Sequence, residues 1–271
     1  MILKAFVNML ILLGFMFDQP MAGERATESS FDTGIPPHAN RSLLCKAAPY
    51  GAILGAGGLL FALDKDIQRE SLRSSLRGST ADGFFNVIED YGRVGPYAVS
   101  VPLLVAHGLI LKNKKSIYVA GELGGSLLLS EGVTRVVKAA FGRLRPYESG
   151  SPYRFFKGGD SFYSGHSIAA FTFSTVMAKN YPRQDLGFLG IDGEVPLVPI
   201  VAYMAAGLVG IQRIYSNNHW ASDVYFGALA GYGVGTVAVH VGEKLRAGKF
   251  RLFCRPGRNG RPMVIFAIGG N

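Results

Sequence analysis

Cysteine is scarce in this chain: Cys45 and Cys254 are the only two in 271 residues. They stand far apart and lack metal-ligand spacing, which excludes a disulfide scaffold and a zinc finger. One disulfide and two unrelated buried thiols both remain open readings. Charge is scarce as well. Charged residues make up 17% of the chain and apolar ones 48%, less charge than an average soluble domain carries. Either the interior is generous or some surface meets lipid. There is no long Lys/Arg run interleaved with aromatics, so nucleic acid is not an expected partner. There is no internal repeat and no second domain. The 36 glycines fall in no Gly-X-Y period and no Gly/Ser tract, which excludes collagen and a flexible linker. Most lie inside apolar stretches, where they let helices approach closely.

The charge that is present leans positive. A net +9 points toward phosphate groups or anionic lipid; solubility alone is the plainer reading. At the N-terminus Lys4 precedes an apolar run from Ala5 to Phe17, and Asp18, Pro20, Ala22 and Gly23 follow. That order matches a secretory signal peptide over residues 1–23, with an uncleaved anchor or an ordinary helix as alternatives. Residues 24–42 are polar and rich in Gly, Pro, Ser and Thr, and read as a flexible leader.

Six apolar segments follow: Ala47 to Leu63, Tyr97 to Leu111, Ile117 to Val137, Ser167 to Ala178, Val195 to Ile211 and Val224 to Val241. Each is too long for a typical strand, so all six are expected to be helices. A shorter amphipathic helix is expected over Gly83 to Tyr91, with Phe84, Phe85, Val87 and Ile88 toward the core. The expected fold class is all-α, with one helical domain over residues 43–249. The tail, residues 250–271, places Phe250 and Met263 segments around a Pro/Gly/Asn-rich middle and reads as a β-hairpin turning near Asn259-Gly260.

Whether the helices span a membrane is balanced on the sequence. The segments are near or below the roughly 20 apolar residues that spanning needs, and Glu122 and Glu131 would be costly in lipid. Lys112, Lys114 and Lys115 favour a cytoplasmic loop between segments two and three. That puts the start of segment one inside, whereas a cleaved signal puts it outside. The expectation is an exported envelope protein, periplasmic or membrane-associated, with a six-span protein as the alternative.

Three polar clusters sit at the ends of apolar helices. Lys138-Ala-Ala-Phe-Gly-Arg143-Leu-Arg145-Pro146 places Lys138 and Arg145 seven apart, two helical turns, with Pro146 ending the helix near Arg145. Two cations there suit phosphate oxygens; a basic C-terminus answering the helix dipole is the plainer reading. Ser164-Gly165-His166 precedes segment four. The helix start offers free N–H groups to an anion, and His166 could donate a proton to a leaving oxygen. A Ser/Gly cap with an incidental histidine is the alternative. Gln212-Arg213 through His219 to Asp223 runs into segment six. His219 and Asp223 are four apart, on one face if both are helical. A carboxylate on one imidazole nitrogen leaves the other basic, as a nucleophile needs; a surface His–Asp pair is the alternative.

Together and in this order, Lys-x6-Arg-Pro, Ser-Gly-His and Arg-x5-His-x3-Asp resemble the signature of the type 2 phosphatidic acid phosphatase / vanadium haloperoxidase superfamily. The resemblance covers Lys138 to Asp223, and the flanking segments fit that family's six-helix bundle. It implies that Lys138, Arg145, Arg213, Ser164 and the backbone of Gly165 bind phosphate oxygens. It implies that His166 protonates the leaving group, His219 attacks phosphorus to form a phosphohistidine, and Asp223 orients His219. It implies no metal and no cofactor, since three cations neutralise the developing charge. Two positions depart from the pattern: Tyr163 stands where the family has Pro, and Gln212 where it has Ser. They put rate and substrate preference in doubt more than reaction type.

Arg143 is separated from Arg145 by Leu144 and is expected to face elsewhere. His107 reads as a packed histidine. Tyr153, Phe155, Phe156 and Phe162 either wall a substrate entrance or anchor their loop. The expected function is hydrolysis of a phosphate monoester or pyrophosphate, with a phosphorylated lipid favoured as substrate. A soluble acid phosphatase acting on small phosphate esters is the nearest alternative, a vanadate-dependent haloperoxidase a distant one, and a non-enzymatic membrane scaffold a third class.

Overall fold

The computed structural model describes residues 43–73, 78–92, 94–187, 193–248, 250–256 and 262–268. The signal-like run and the polar leader, residues 1–42, lie outside the described residues. Seven helices occur among those described: α1 Leu43–Arg73, α2 Ser79–Tyr91, α3 Gly95–Ile110, α4 Lys114–Phe141, α5 Gly165–Asn180, α6 Leu197–Tyr215 and α7 Ala221–Arg246. Six answer the long apolar segments, and α2 is the short one. On α2, Phe85, against the Tyr215 ring, and Ile88 turn inward. Phe84 and Val87, expected toward the core, are exposed, because residues 85 and 88 share one face of the helix and 84 and 87 lie on the next. The largest departure is α1, which runs ten residues past Leu63. There the apolar run stops but the helix continues, because Asp64, Ile67 and Ser71 keep one buried face at helical spacing.

The sequence expects its one hairpin in the tail. A small antiparallel pair lies elsewhere, between α5 and α6: β1 Gln184–Asp185 with β2 Glu194–Val195. In the tail, β3 Phe250–Pro256 pairs antiparallel with β4 Pro262–Ile268, Phe250 opposite Ile268; the Asn259-Gly260 turn lies outside the described residues.

The core is organised around α5, whose residues Ser167–Val176 are all buried. Its closest neighbour is α7. Glycines 227, 231 and 235 recur every four residues on α7 and present bare backbone to α5. A Cβ at Gly231 would stand 2.6 Å from the Ile168 carbonyl, and one at Gly227 2.8 Å from the Ser164 carbonyl. No side chain fits at such separations, so this stripe sets how closely the two helices approach. Polar cross-links add to the packing: the Tyr97 hydroxyl donates to the Ala169 carbonyl at 2.9 Å, and Ser174 Oγ to the Ala202 carbonyl at 2.8 Å. The stripe fixes Ser164 and His166, at the start of α5, against the start of α7.

Large apolar side chains lie on the outer surface of several helices. Leu54 and Leu59 on α1, Leu103, Leu109 and Ile110 on α3, Leu128 on α4 and Val201 on α6 are all exposed. By length and composition, α6 and α7 could each cross a membrane. Glu122, read in the sequence as an obstacle to spanning, does not face outward: it is buried and accepts bonds from Asn180 at 2.7 Å and Arg246 at 2.6 Å. Glu131 does stay on the surface, paired with Arg135 at 3.1 Å.

Candidate active site

The expected residues gather at one end of the bundle, where α4 and α6 finish and α5 and α7 begin. Helix α4 ends earlier than Pro146 suggests. Gly142 takes a left-handed conformation, φ 48°, and its N–H donates to the Lys138 carbonyl; glycine adopts this at no steric cost. Lys138 is therefore in the last helical turn, and Arg145 is on the loop beyond. The two converge by the loop's path rather than as successive turns of one helix.

Their meeting point is a carboxylate that the sequence reading missed. Arg145 Nε and Nη2 donate to the two oxygens of Asp160 at 2.6 and 2.8 Å, and Lys138 Nζ lies 3.7 Å from Oδ2. Burial works to raise the pKa of Asp160, but the Arg145 hydrogen bonds and the Lys138 and Arg145 charges outweigh it and hold the carboxyl below its usual range.

Arg213 is the third cation. Its Nη1 lies 3.3 Å from His166 Nε2, and its Nη2 lies 2.7 Å from Glu89 Oε1 on α2. Gln212 ties this arrangement together: its amide donates to Glu89 Oε2 at 3.0 Å, and its carbonyl oxygen accepts from Arg213 Nε. The departure from Ser at this position thus provides a buried brace between α2 and Arg213.

His219 does not share a helix face with Asp223, because α7 starts at Ala221. Asp223 is instead in the first turn of α7, and its Oδ2 accepts from the Trp220 backbone N–H at 3.0 Å, as an N-terminal carboxylate does. His219 is buried, with Nδ1 3.7 Å from Asp223 Oδ2, longer than a hydrogen bond. Burial holds its imidazole below the usual histidine range against the pull of Asp223, and the Lys138 and Arg145 charges act the same way as burial.

Behind His219 lies a fully buried ionic cluster. Asp223 accepts from Arg143 Nη1 and from Ser161 Oγ, both at 2.5 Å. Arg143 Nη2 donates to Asp64 Oδ2 at 2.7 Å, and Asp64 accepts from the Ser222 N–H at 2.9 Å and the Ser222 hydroxyl at 2.6 Å. Arg143 does face away from Arg145, into this cluster. Its guanidinium is also 5.0 Å from the Phe61 ring and 4.9 Å from Phe155, within cation–π range. Asp64 was not anticipated; the helix face it shares with Ile67 and Ser71 is the one signal that could have raised it.

Ser164 is buried, and its hydroxyl accepts from the Ser167 N–H at 3.3 Å and the Ser167 hydroxyl at 3.0 Å, capping α5. Its backbone N–H donates to the Asp223 carbonyl at 3.0 Å. Gly165 opens α5. Tyr163, in place of Pro, is buried.

The loop aromatics divide. Phe155 and Phe162 join Phe61, Phe141 and Phe226 in a ring cluster, with Phe141 and Phe162 centroids 5.0 Å apart. Phe156 and Tyr153 are exposed. Phe156 borders a cavity of about 310 Å³ that Lys138, Ala139, Ala140, Gly142, Gly158 and Gly159 also line. Among the described residues, no three His, Cys, Asp or Glu side chains are grouped to hold a metal ion.

The PAP2 superfamily profile matches residues 120–247. The lipid A 1-phosphatase of Porphyromonas gingivalis is 27% identical over 195 residues, which are 70% of this chain and 37% of that protein. The chain thus spans little more than a third of that relative's length. Two solved structures are similar. Aquifex aeolicus LpxE is 23% identical, with a TM-score of 0.46 over 66% of this chain and 95% of that one. A transmembrane PAP2-type phosphatidylglycerolphosphate phosphatase of Bacillus subtilis is 22% identical, with a TM-score of 0.49 over 72% of this chain and 96% of that one.

Proposed function

We propose, from the PAP2 superfamily match over residues 120–247 and the site's geometry, that this chain is a phosphatase that hydrolyses a lipid-linked phosphate monoester or pyrophosphate through a phosphohistidine on His219. One observation carries the reading. Lys138, Arg145 and Arg213 reach one end of the bundle from three different segments, and with them come two histidines, His166 beside Arg213 and His219 above the Arg143–Asp223 cluster.

In this reading the three cations, with Ser164 and the Gly165 N–H at the start of α5, hold the phosphate oxygens. His219 is kept neutral by burial, so its imidazole is free to attack phosphorus. Asp223, held by Arg143 and Ser161, faces Nδ1 at 3.7 Å, and its charge favours the tautomer protonated there, which leaves Nε2 nucleophilic. His166 protonates the leaving oxygen and then takes a proton from the water that hydrolyses the phosphohistidine. Charge neutralisation comes from Lys138, Arg145 and Arg213.

The exposed apolar side chains on α1, α3, α4 and α6 support a lipid-linked substrate and a membrane setting over a soluble acid phosphatase. Helix α4 has 28 residues and measures about 42 Å at its normal rise. It carries Lys114 and Lys115 at one end and Lys138 at the other. With the lysine loop on the cytoplasmic side, the site opens on the opposite face.

The test is phosphate release with EDTA present, from phosphatidic acid, an isoprenyl pyrophosphate, lipid A carrying a 1-phosphate and p-nitrophenyl phosphate, beside His219→Ala. The reading predicts release that survives EDTA, vanishes in the variant and is fastest on a lipid. Undiminished release by His219→Ala would overturn it.

A further inference from the structure

Asp160 takes no part in the mechanism above, yet it holds two of the three cations that the mechanism uses. Its carboxylate lies on the Arg145 fork through two hydrogen bonds of 2.6 and 2.8 Å and within 3.7 Å of Lys138. Fork-on-carboxylate pairing is also how a guanidinium takes two oxygens of a phosphate, so the carboxylate and a bound phosphate claim the same donors.

The carboxylate is placed to leave. Its side chain is 57% exposed, against 21% for each of its partners, so it approaches from the solvent side. The backbone around it is pinned: the Gly159 N–H donates to the Gly142 carbonyl at 3.1 Å and the Ser161 N–H to the Arg143 carbonyl at 2.9 Å. A Cβ at Gly159 would stand 2.3 Å from that same Arg143 oxygen. Release is therefore a rotation of the Asp160 side chain, with no opening of the loop.

We propose that Asp160 is a specificity-determining residue: a resident anion on Lys138 and Arg145 that only a terminal phosphate displaces well. This rests on the phosphatase reading of the same site. Asp160 offers one negative charge and two oxygens. A phosphodiester offers the same and gains little by exchange. A monoester or terminal pyrophosphoryl group carries nearly twice the charge at neutral pH and a third free oxygen, and the third oxygen has Arg213 to meet. Asp160 thus sets a threshold of charge for entry and weakens the hold on released inorganic phosphate.

The experiment measures inorganic phosphate binding by titration calorimetry to the full chain, as wild type, Asp160→Asn and Asp160→Ser. Alongside it, kcat/KM is measured for p-nitrophenyl phosphate and methyl p-nitrophenyl phosphate, with thermal melts checking the fold. Both variants are expected to bind phosphate more tightly, on the order of five- to tenfold, from loss of one competing ion pair. Their preference for monoester over diester should shrink. Weaker phosphate binding in the folded variants would make Asp160 a support for Arg145 and overturn the proposal. Unchanged binding and preference would overturn it too. Wild type that neither binds phosphate nor releases it from any ester would overturn the phosphatase reading itself, and the proposal with it.

Discussion

The two ends of the bundle both bury an acid beside an arginine, and they differ in what is left over. At the α4 N-terminal end, Glu122 receives Arg246 at 2.6 Å and Asn180 at 2.7 Å, and Asn180 also donates to the Val176 carbonyl at 3.0 Å. Gly242 gives Glu122 room, since a Cβ there would stand 2.1 Å from its oxygen. That network closes on itself and ties α4, α5 and α7 together. At the other end the Arg143–Asp64–Asp223 cluster is just as buried, but it borders a His219 whose Nδ1 makes no hydrogen bond. Beyond it, Lys138 and Arg145 meet an exposed carboxylate. A closed network spends its charges on the scaffold; an open one keeps them for a substrate.

Removing the working group at each end separates the two roles. His219→Ala should lower kcat by roughly four orders of magnitude or more, as loss of a nucleophile does, with little change in melting temperature. Glu122→Gln should do the reverse, lowering the melting temperature while kcat stays within about twofold. A large fall in kcat from Glu122→Gln would erase the contrast.

The buried cluster should resist less than it supports. Arg143→Met strands Asp64 and Asp223, and breaking a buried pair from one side costs about 3–5 kcal/mol. Urea unfolding measures it. A cost below about 1 kcal/mol would mean the cluster is wet and contributes little.

Next in size is the loop. Phe155→Ala opens the ring cluster against Arg143 and should cost about 3 kcal/mol of stability. Phe156→Ala touches an exposed ring and should leave stability alone, while lowering the rate on lipid more than on p-nitrophenyl phosphate. Equal losses on both substrates would remove Phe156 from the entrance.

The smallest effect is on pH. His219 is held below its unfolded value of about 6.5 by burial, with Asp223 opposing. The folded state therefore binds fewer protons than the unfolded one as pH falls below that value. Stability at this site is full above it and is lost on acidification toward the folded value. The acid limb of kcat/KM should fall below pH 6.5 as well. A limb centred above pH 7 would contradict a desolvated His219.

How much of this was legible in the sequence follows from the distances involved. The three motifs could be read because each is compact and its chemistry demands particular ionisable residues. The helices could be read from long apolar runs. The end of α4 is misplaced by the sequence because Pro146 is a louder signal than the Gly142 that stops the helix, and whether His219 shares a helix face with Asp223 stays open there because spacing alone does not say where α7 begins. Asp64, Glu89 and Asp160 were missed for a different reason. Asp64 meets Arg143 across 79 positions and Ser222 across 158, and Glu89 meets Gln212 across 123. A carboxylate's partner at such separation is a property of packing, not of local pattern. Asp160 was nearer, 15 positions from Arg145, but an acid in a polar loop carries no period to mark it.

The central claim is that phosphorus passes through His219. It is tested most directly by mixing the full chain with a radiolabelled phosphate ester, quenching in alkali, which preserves a phosphoramidate, and mapping the label by peptide. The account predicts an alkali-stable, acid-labile label on the peptide containing His219, absent from His219→Ala. A label on another residue, or turnover in His219→Ala at the wild-type rate, would contradict it.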